Sequence, residues 1–393
     1  MSAVSQSIAL DASQPVGEAR FGQVGVLALF GAAGALQFSI AAAQILLTLA
    51  ALCWLGTIVA GRERFDVPQF FWPLAVYGAL TRVSSAFSYL PRASFVDSRQ
   101  IVLFALVPIT YRFAVGNRGY TMTTIIVSCA AASAAFGIFQ YEILHYDLGR
   151  RPQGTLGHWM TYSGLLMLVF SIALARVLYA RSERTWAALV MPALAVAIAV
   201  SFTRSAMIGV LAAAALLFVL KDLRLFAVVP VVIALFIALA PGKVYQRFVS
   251  IFDLNDPTNR DRVAMLHEGE RMIRAHPLAG VGPAMVQRLY ADYRGPDAVE
   301  KINPHLHNVP LQIAAERGLP ALAAWIWFIV AVVRDLWRRF NQGGSRFLPA
   351  AALASVAALL TAGLFEYNFG DSEVLMLFLI VITLPAAADR LPV

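Results

Sequence analysis

The 393-residue sequence has little charge: only 14% of its residues are Asp, Glu, Lys or Arg, whereas 59% are hydrophobic. A soluble domain carries about 25% charged residues, so this chain lacks the polar surface that would keep it in water. Its mean hydropathy of +0.69 agrees with this. The composition therefore predicts a polytopic membrane protein.

Cysteine is also scarce, and both cysteines, Cys53 and Cys129, lie inside apolar runs. They are predicted to be core residues, without a disulfide framework or a cysteine metal site. No HExxH motif occurs, and no histidine and carboxylate stand at ligand spacing along the chain, so we expect no metal ion. The polar N-terminus lacks a basic segment followed by a short apolar core, so we expect no cleaved signal peptide.

Long apolar runs, in contrast, are numerous. A spanning helix needs about 20 mostly apolar residues, and twelve stretches meet this condition. They predict an all-α polytopic membrane protein of about 12 transmembrane helices, folded as a single integral membrane domain (1–393). The predicted spans are residues 22–39, 41–60, 70–88, 99–115, 121–141, 159–180, 185–201, 205–220, 224–240, 308–333, 347–365 and 372–388.

The distribution of basic residues predicts the orientation. With the N-terminus inside, every inner connection carries at least two Lys or Arg residues, as cytoplasmic loops do. Both termini are then cytoplasmic, and residues 241–307 form one large outer loop. Within it, Val263, Leu266, Met272 and Ile273 could share one apolar face, which is typical of an amphipathic helix at the membrane interface.

Arginine recurs on the outer face. Arg151 lies in the connection 142–158, Arg204 in the short connection "SFTRSA", and several more in the large loop. Taken alone, Arg204 could snorkel to a head group, and the loop arginines could meet lipid. Guanidinium groups gathered on one face favour an anionic partner with phosphate groups, and nucleic acid is not expected.

The stretch "NPHLHNVPLQIAAERG" (303–318) places histidines at the start of a span. Asn308 is predicted to cap the following helix, with Pro310 in its first turn. His307 can accept a proton near neutral pH. His305 is predicted to have a local structural role, because Leu306 separates the two histidines and should point them in different directions.

Carboxylates stand in the last outer turn, "LFEYNFGDSEV" (364–374), which contains Glu366 and Asp371. Carboxylates near an arginine-rich site usually pair with it, and one of those in this turn could orient His307. For Asp371, capping of the last helix is the favoured interpretation.

The pattern His-Asn, nine residues, then Gly318 resembles the O-antigen ligases of Gram-negative bacteria. The segments "RPQGTLGHWMTYSGLL", "TRSA" and "RVAMLHEGERMIRAHPLAGVGP" are also similar to that family, so the resemblance covers roughly residues 150–375. It implies an inverting, metal-independent glycosyltransferase of the inner membrane that needs no cofactor. Such an enzyme moves O-antigen from undecaprenyl diphosphate to lipid A–core oligosaccharide on the periplasmic face.

The same resemblance implies roles for individual residues. His307 would be the catalytic base, and Arg204 with one loop arginine would bind the diphosphate. Arg262 and Arg274 are both followed four residues later by leucine; Arg262 is favoured because it stands at the start of its predicted helix. The candidates for a supporting role are Arg151, His158, Asn308, Glu366 and Asp371.

Three alternatives remain open. An O-antigen polymerase, which uses a lipid-linked acceptor, would employ the same arginines, and a protein O-oligosaccharyltransferase is a further relative. A secondary transporter is disfavoured, because transporters tend to show internal repeats and charges near the bilayer midplane, whereas the charges here gather at one face.

Overall fold

The computed structural model describes residues 16–59, 65–180, 183–296 and 298–390. Within these ranges every regular element is helical. The first fifteen residues, which bear on the signal-peptide prediction, lie outside the described residues. Both cysteines are free thiols; Cys53 is buried and Cys129 is half-buried.

The α-helices follow one another with short connections and a few 3₁₀ turns. In chain order they are α1 (Val16–Ala35), α2 (Ile40–Val59), α3 (Phe71–Ala86), α4 (Pro91–Asp97), α5 (Leu106–Phe113), α6 (Arg118–Glu142), α7 (Trp159–Tyr179), α8 (Arg184–Val200), α9 (Arg204–Lys221), α10 (Val228–Leu239), α11 (Gly242–Val249), α12 (Pro257–Ala275), α13 (Val286–Tyr293), α14 (Val309–Asn341), α15 (Phe347–Ala362) and α16 (Ser372–Ala388).

Six of the described helices are long and apolar enough to cross a membrane: α2, α6, α7, α9, α14 and the composite helix Pro91–Phe113. Five further predicted spans coincide with shorter apolar helices, and the span predicted at 70–88 is the 16-residue helix α3. The polytopic character is thus supported, while the number twelve stays a prediction. The span predicted to begin at residue 99 begins earlier, because Pro91 stands in the first turn of α4, a position that suits proline.

The centre of the bundle is formed by α7, α15 and α16, whose side chains are buried almost all round. By contrast, α2 exposes Ile45, Leu52 and Val59. A helix that presents large apolar side chains outward is stable in lipid, since its backbone bonds are satisfied internally. The burial pattern thus separates central helices from those that face the membrane.

The large loop contains α11, α12 and α13. The predicted amphipathic helix is present as α12, but the face assigned to it is wrong. Met272 is fully buried in a small second core with Met265 and Leu306, whereas Val263 and Leu266 on the other side are about half exposed. The apolar residues of α12 thus divide between two sides, because one side packs against the start of α14.

The helix α14 is broken at Gly318, whose φ of 83° and ψ of 167° are not helical. The loop segment 277–283 binds at this break through its backbone. Val281 N–H donates to the Ala315 carbonyl at 2.9 Å, and Leu319 N–H donates to the Pro277 carbonyl at 2.8 Å. The glycine-rich "LAGVGP" stretch therefore ties the loop to a membrane helix.

Candidate active site

Arg204 is the first residue of α9, directly after the tight turn from α8. It is almost completely buried, at 4% exposure. Its guanidinium donates to the carbonyl and hydroxyl oxygens of Ser250, both at 3.0 Å, and to Asp256 Oδ1 at 3.3 Å. Arg204 therefore does not snorkel outward; it joins the membrane helices to the large loop.

Asp256 has three contacts that fix its position. Its Oδ1 accepts hydrogen bonds from the backbone N–H groups of Thr258 and Asn259, which caps α12, and the same oxygen pairs with Arg204. Burial alone would raise the pKa of this carboxyl, but Arg204 and the Asn259 N–H hold its pKa below the usual range. The large loop thus provides the carboxylate of Asp256 as a partner for the Arg204 guanidinium.

Arg247, at the end of α11, is a further member of the site. Its Nε donates to the Phe202 carbonyl at 3.4 Å, in the turn just before Arg204. Burial, together with the charges of Arg204, Arg151 and Arg262, lowers the pKa of Arg247 to about 10. It is still a cation at neutral pH. Arg247 is one of many arginines in the large loop, and no local sequence motif distinguishes it from the others.

Of the two loop arginines that fit the family pattern, Arg262 lies in the site. Its Nε is buried and has no hydrogen-bond partner among the residues that the structure describes. Burial lowers the pKa of Arg262. The charge of Glu366 opposes this lowering and the charge of Arg204 adds to it, so Arg262 lies within electrostatic range of both residues. Arg274 lies outside: its side chain is 76% exposed and pairs with Glu270.

Arg151, Arg204, Arg247 and Arg262, called here the arginine cluster, carry four positive charges. Burial and the charge of Arg204 also lower the pKa of Arg151, whose guanidinium lies over the Trp159 ring at 5.2 Å. Like charges brought this close repel one another, and Asp256 offsets only part of the excess. The cluster is therefore suited to a doubly or triply charged anion.

The second half of the site is an imidazole–carboxylate pair. His307 Nδ1 is hydrogen-bonded to Glu366 Oε2 at 3.0 Å, and the Tyr367 N–H donates to Glu366 Oε1 at 3.0 Å. Burial would raise the pKa of Glu366, but the bond to His307 and the nearby imidazoles lower it to about 2. Glu366 is thus the carboxylate that fixes the orientation of the His307 ring through Nδ1.

His305 also reaches this carboxylate. Its ring centroid lies 4.1 Å from that of His307, and its Nε2 is 3.6 Å from Glu366 Oε1. The prediction that the two histidines point in different directions is wrong, because Leu306 is buried in the second core and His307 has a φ of 48°. Burial lowers the pKa of His305 to about 4, against the effect of Glu366.

His305, His307 and Glu366 form a group that could hold a metal ion, since one ligand atom from each lies within 4.8 Å of the others. The expectation of no metal rested on spacing along the chain, where Glu366 and His307 are 59 positions apart. Spacing in sequence carries no information about residues that separate helices bring together.

The remaining supporting candidates have structural roles around the site. Asn308 caps α14 by accepting from the Leu311 N–H at 2.9 Å, as predicted. Asp371 caps α16, also as predicted, and its other oxygen accepts from the Thr161 hydroxyl. His158 stacks on Trp159 with ring centroids 5.0 Å apart. None of these contacts involves His307.

A protein-family model described as O-antigen ligase matches residues 188–326. This segment includes Arg204, Arg262, His307 and Gly318, and it confirms the resemblance predicted from the sequence. A comparison with curated proteins finds no match.

Proposed function

We propose that this chain, whose residues 188–326 match the O-antigen ligases, is an inverting glycosyltransferase of the bacterial inner membrane. It transfers O-antigen polysaccharide from undecaprenyl diphosphate to lipid A–core oligosaccharide on the periplasmic face. One observation carries the proposal: an oriented histidine, His307 on Glu366 at 3.0 Å, lies beside a buried arginine cluster.

The arginine cluster binds the diphosphate leaving group. As the bond between the sugar C1 and the phosphate oxygen breaks, negative charge grows on the diphosphate. Fixed cations at that oxygen are usually the largest catalytic contribution, and loss of a single donor costs about 10²–10³ in rate. Arg204 and Arg262 take this role as implied by the family resemblance, and Arg247 joins them.

His307 activates the acceptor. The acceptor hydroxyl attacks C1 from the face opposite the diphosphate, and its proton passes to His307 Nε2, so the configuration at C1 is inverted. Glu366 stabilises the imidazolium that results. General-base assistance of this kind contributes about 10²–10⁴ in rate, so the arginines and His307 share the catalysis.

Transfer by this mechanism requires no metal ion. In diphosphate-dependent transfer, a divalent cation and a set of guanidinium groups are alternative means of stabilising the leaving group. Four arginines already supply that charge here, and arginine matches phosphate oxygens bidentately.

The test is complementation of a strain that lacks its own ligase, with lipopolysaccharide separated on a gel. His307→Ala and Arg204→Ala are expected to abolish the ladder of O-antigen bands, whereas Arg274→Ala, which changes an exposed arginine, should retain it. An unchanged ladder with both site variants, at equal expression, would refute the assignment.

The polymerase alternative is tested by the same gel. If the chain polymerises O-antigen, its loss leaves single repeat units attached to core; if it ligates, its loss leaves core without any repeat unit. The second pattern is the expected one.

A further inference from the structure

We propose that His305, His307 and Glu366 also form a zinc(II) site, and that a bound zinc ion switches off His307 as a base. The inhibitory consequence rests on the proposed function, whereas zinc binding itself does not. Two imidazoles and one carboxylate are a ligand set that zinc enzymes use, with a fourth position left for water or substrate.

The distances fit this ion. In a tetrahedral zinc site the metal–ligand distances are about 2.0–2.1 Å, so two ligand atoms lie about 3.3 Å apart. Each imidazole contacts a different oxygen of Glu366, and the two distances lie on either side of this value: Oε2 is 3.0 Å from His307 Nδ1, and Oε1 is 3.6 Å from His305 Nε2. All three ligand atoms lie within 4.8 Å of one another, so small side-chain rotations would complete the site.

The backbone holds the ligands on one side. His305 and His307 are two positions apart, and they face the same carboxylate because His307 has a left-handed backbone conformation. Leu306 between them is anchored in the second core, and its N–H donates to Gln312 Oε1 at 2.7 Å. Glu366 is held by the Tyr367 N–H. The ligand set is therefore preorganised.

An ion can enter and leave this site. The side chains of His305, His307 and Glu366 are 23%, 17% and 10% exposed. Arg262 interacts electrostatically with Glu366, and a nearby guanidinium repels a divalent cation. Zinc is therefore expected to bind reversibly and more weakly than in a closed structural site.

Zinc would change which nitrogen of His307 carries the proton. A neutral imidazole has one N–H group. While Nδ1 contacts Glu366, that hydrogen can stay on Nδ1 and leave Nε2 free to accept a proton. When Nδ1 binds zinc, the hydrogen must be on Nε2, which can no longer accept one. The ion thus removes the base without reaching the arginine cluster.

The binding test uses the full-length protein in detergent and Co²⁺ as a spectroscopic substitute for zinc. One equivalent of Co²⁺ is expected to give the visible absorption of a tetrahedral complex, and added Zn²⁺ should abolish it. His305→Ala and Glu366→Gln should each weaken Co²⁺ binding at least about tenfold. His145→Ala, which changes an exposed histidine outside the group, should bind as the unaltered protein does.

Absence of the visible band, or a band that none of the ligand substitutions weakens, would overturn the site. A second measurement follows glycosyl transfer during a Zn²⁺ titration, with a chelator added at the end. Reversible inhibition over the same concentrations as binding is expected. Binding without any inhibition would refute the switch and leave the proposed function intact, whereas protein that binds Co²⁺ but never transfers sugar would refute the proposed function alone.

Discussion

Two bulky residues at the site, Phe202 and His307, have left-handed backbone conformations, with φ values of 55° and 48°. Each such residue costs about 1–3 kcal/mol and persists only where the surroundings fix it. Phe202 is fully buried, and its carbonyl accepts from Arg247. His307 is held by Glu366. In both cases the strained residue aims a polar group into the site.

At this scale, the test of the arginine cluster is a pair of substitutions in the same loop. Arg247→Ala is expected to weaken the use of the lipid diphosphate donor by about 1.5–3 kcal/mol, or roughly 10- to 100-fold in kcat/KM, since a charge-assisted contact is lost. Arg274→Ala should change it less than twofold, because Arg274 pairs with Glu270 at the surface.

The measurement is a transfer assay with purified protein at varied donor concentration. Equal effects of the two substitutions would show that the buried cluster does not define the donor site. A selective loss for Arg247→Ala would add this residue to Arg204 and Arg262.

At the scale of elements, the contact between the loop and α14 depends on two glycines. The φ and ψ of Gly318 lie in a region that is essentially restricted to glycine. A Cβ there would lie 2.1 Å from the Leu278 carbonyl oxygen, and a Cβ at Gly280 would lie 2.3 Å from the Glu316 carbonyl. The backbones of loop and helix approach so closely that side chains are excluded.

Gly318→Ala is therefore expected to lower the free energy of unfolding by about 1–3 kcal/mol from backbone strain alone, with the steric clash adding to the loss. The matched control is Gly56→Ala in α2, where a Cβ meets nothing within 4 Å and alanine favours the helix. Thermal unfolding in one detergent, followed by tryptophan fluorescence, gives the comparison. Equal midpoints for both variants would contradict the role of the break.

At the scale of the whole molecule, the fold places polar chemistry on one face of an apolar bundle. The arginine cluster and the His307–Glu366 pair come from four separate parts of the chain: the connection before α7, the start of α9, the large loop, and the turn between α15 and α16. These parts meet because the helices between them pass through the bundle and return to the same side. This arrangement requires that all four connections share one side of the membrane.

The sidedness is tested by cysteine labelling in a background without Cys53 and Cys129. Asn255→Cys in the large loop and Gln342→Cys after α14 are both exposed positions. A membrane-impermeant maleimide applied to intact cells permeable only in the outer membrane should label Asn255→Cys alone. Gln342→Cys should react only after the inner membrane is opened; the reverse pattern would overturn the predicted orientation.

The sequence alone determined the membrane character, the helical class and the caps at Asn308 and Asp371, because hydropathy and capping are local properties of neighbouring residues. A motif in the sequence also predicts His307 and Arg204 as site residues. The segment that is similar to the O-antigen ligases stops at residue 326 and so excludes Glu366.

Only the tertiary structure shows that the Nε of Arg262 is buried and Arg274 exposed, places Arg247 beside the turn before Arg204, and brings His305 and His307 to one carboxylate. Each of these depends on distances between residues that are far apart in sequence. Charge repulsion, burial and a shared hydrogen-bond partner act through space, and no pattern along the chain records which connections meet on one face of the bundle.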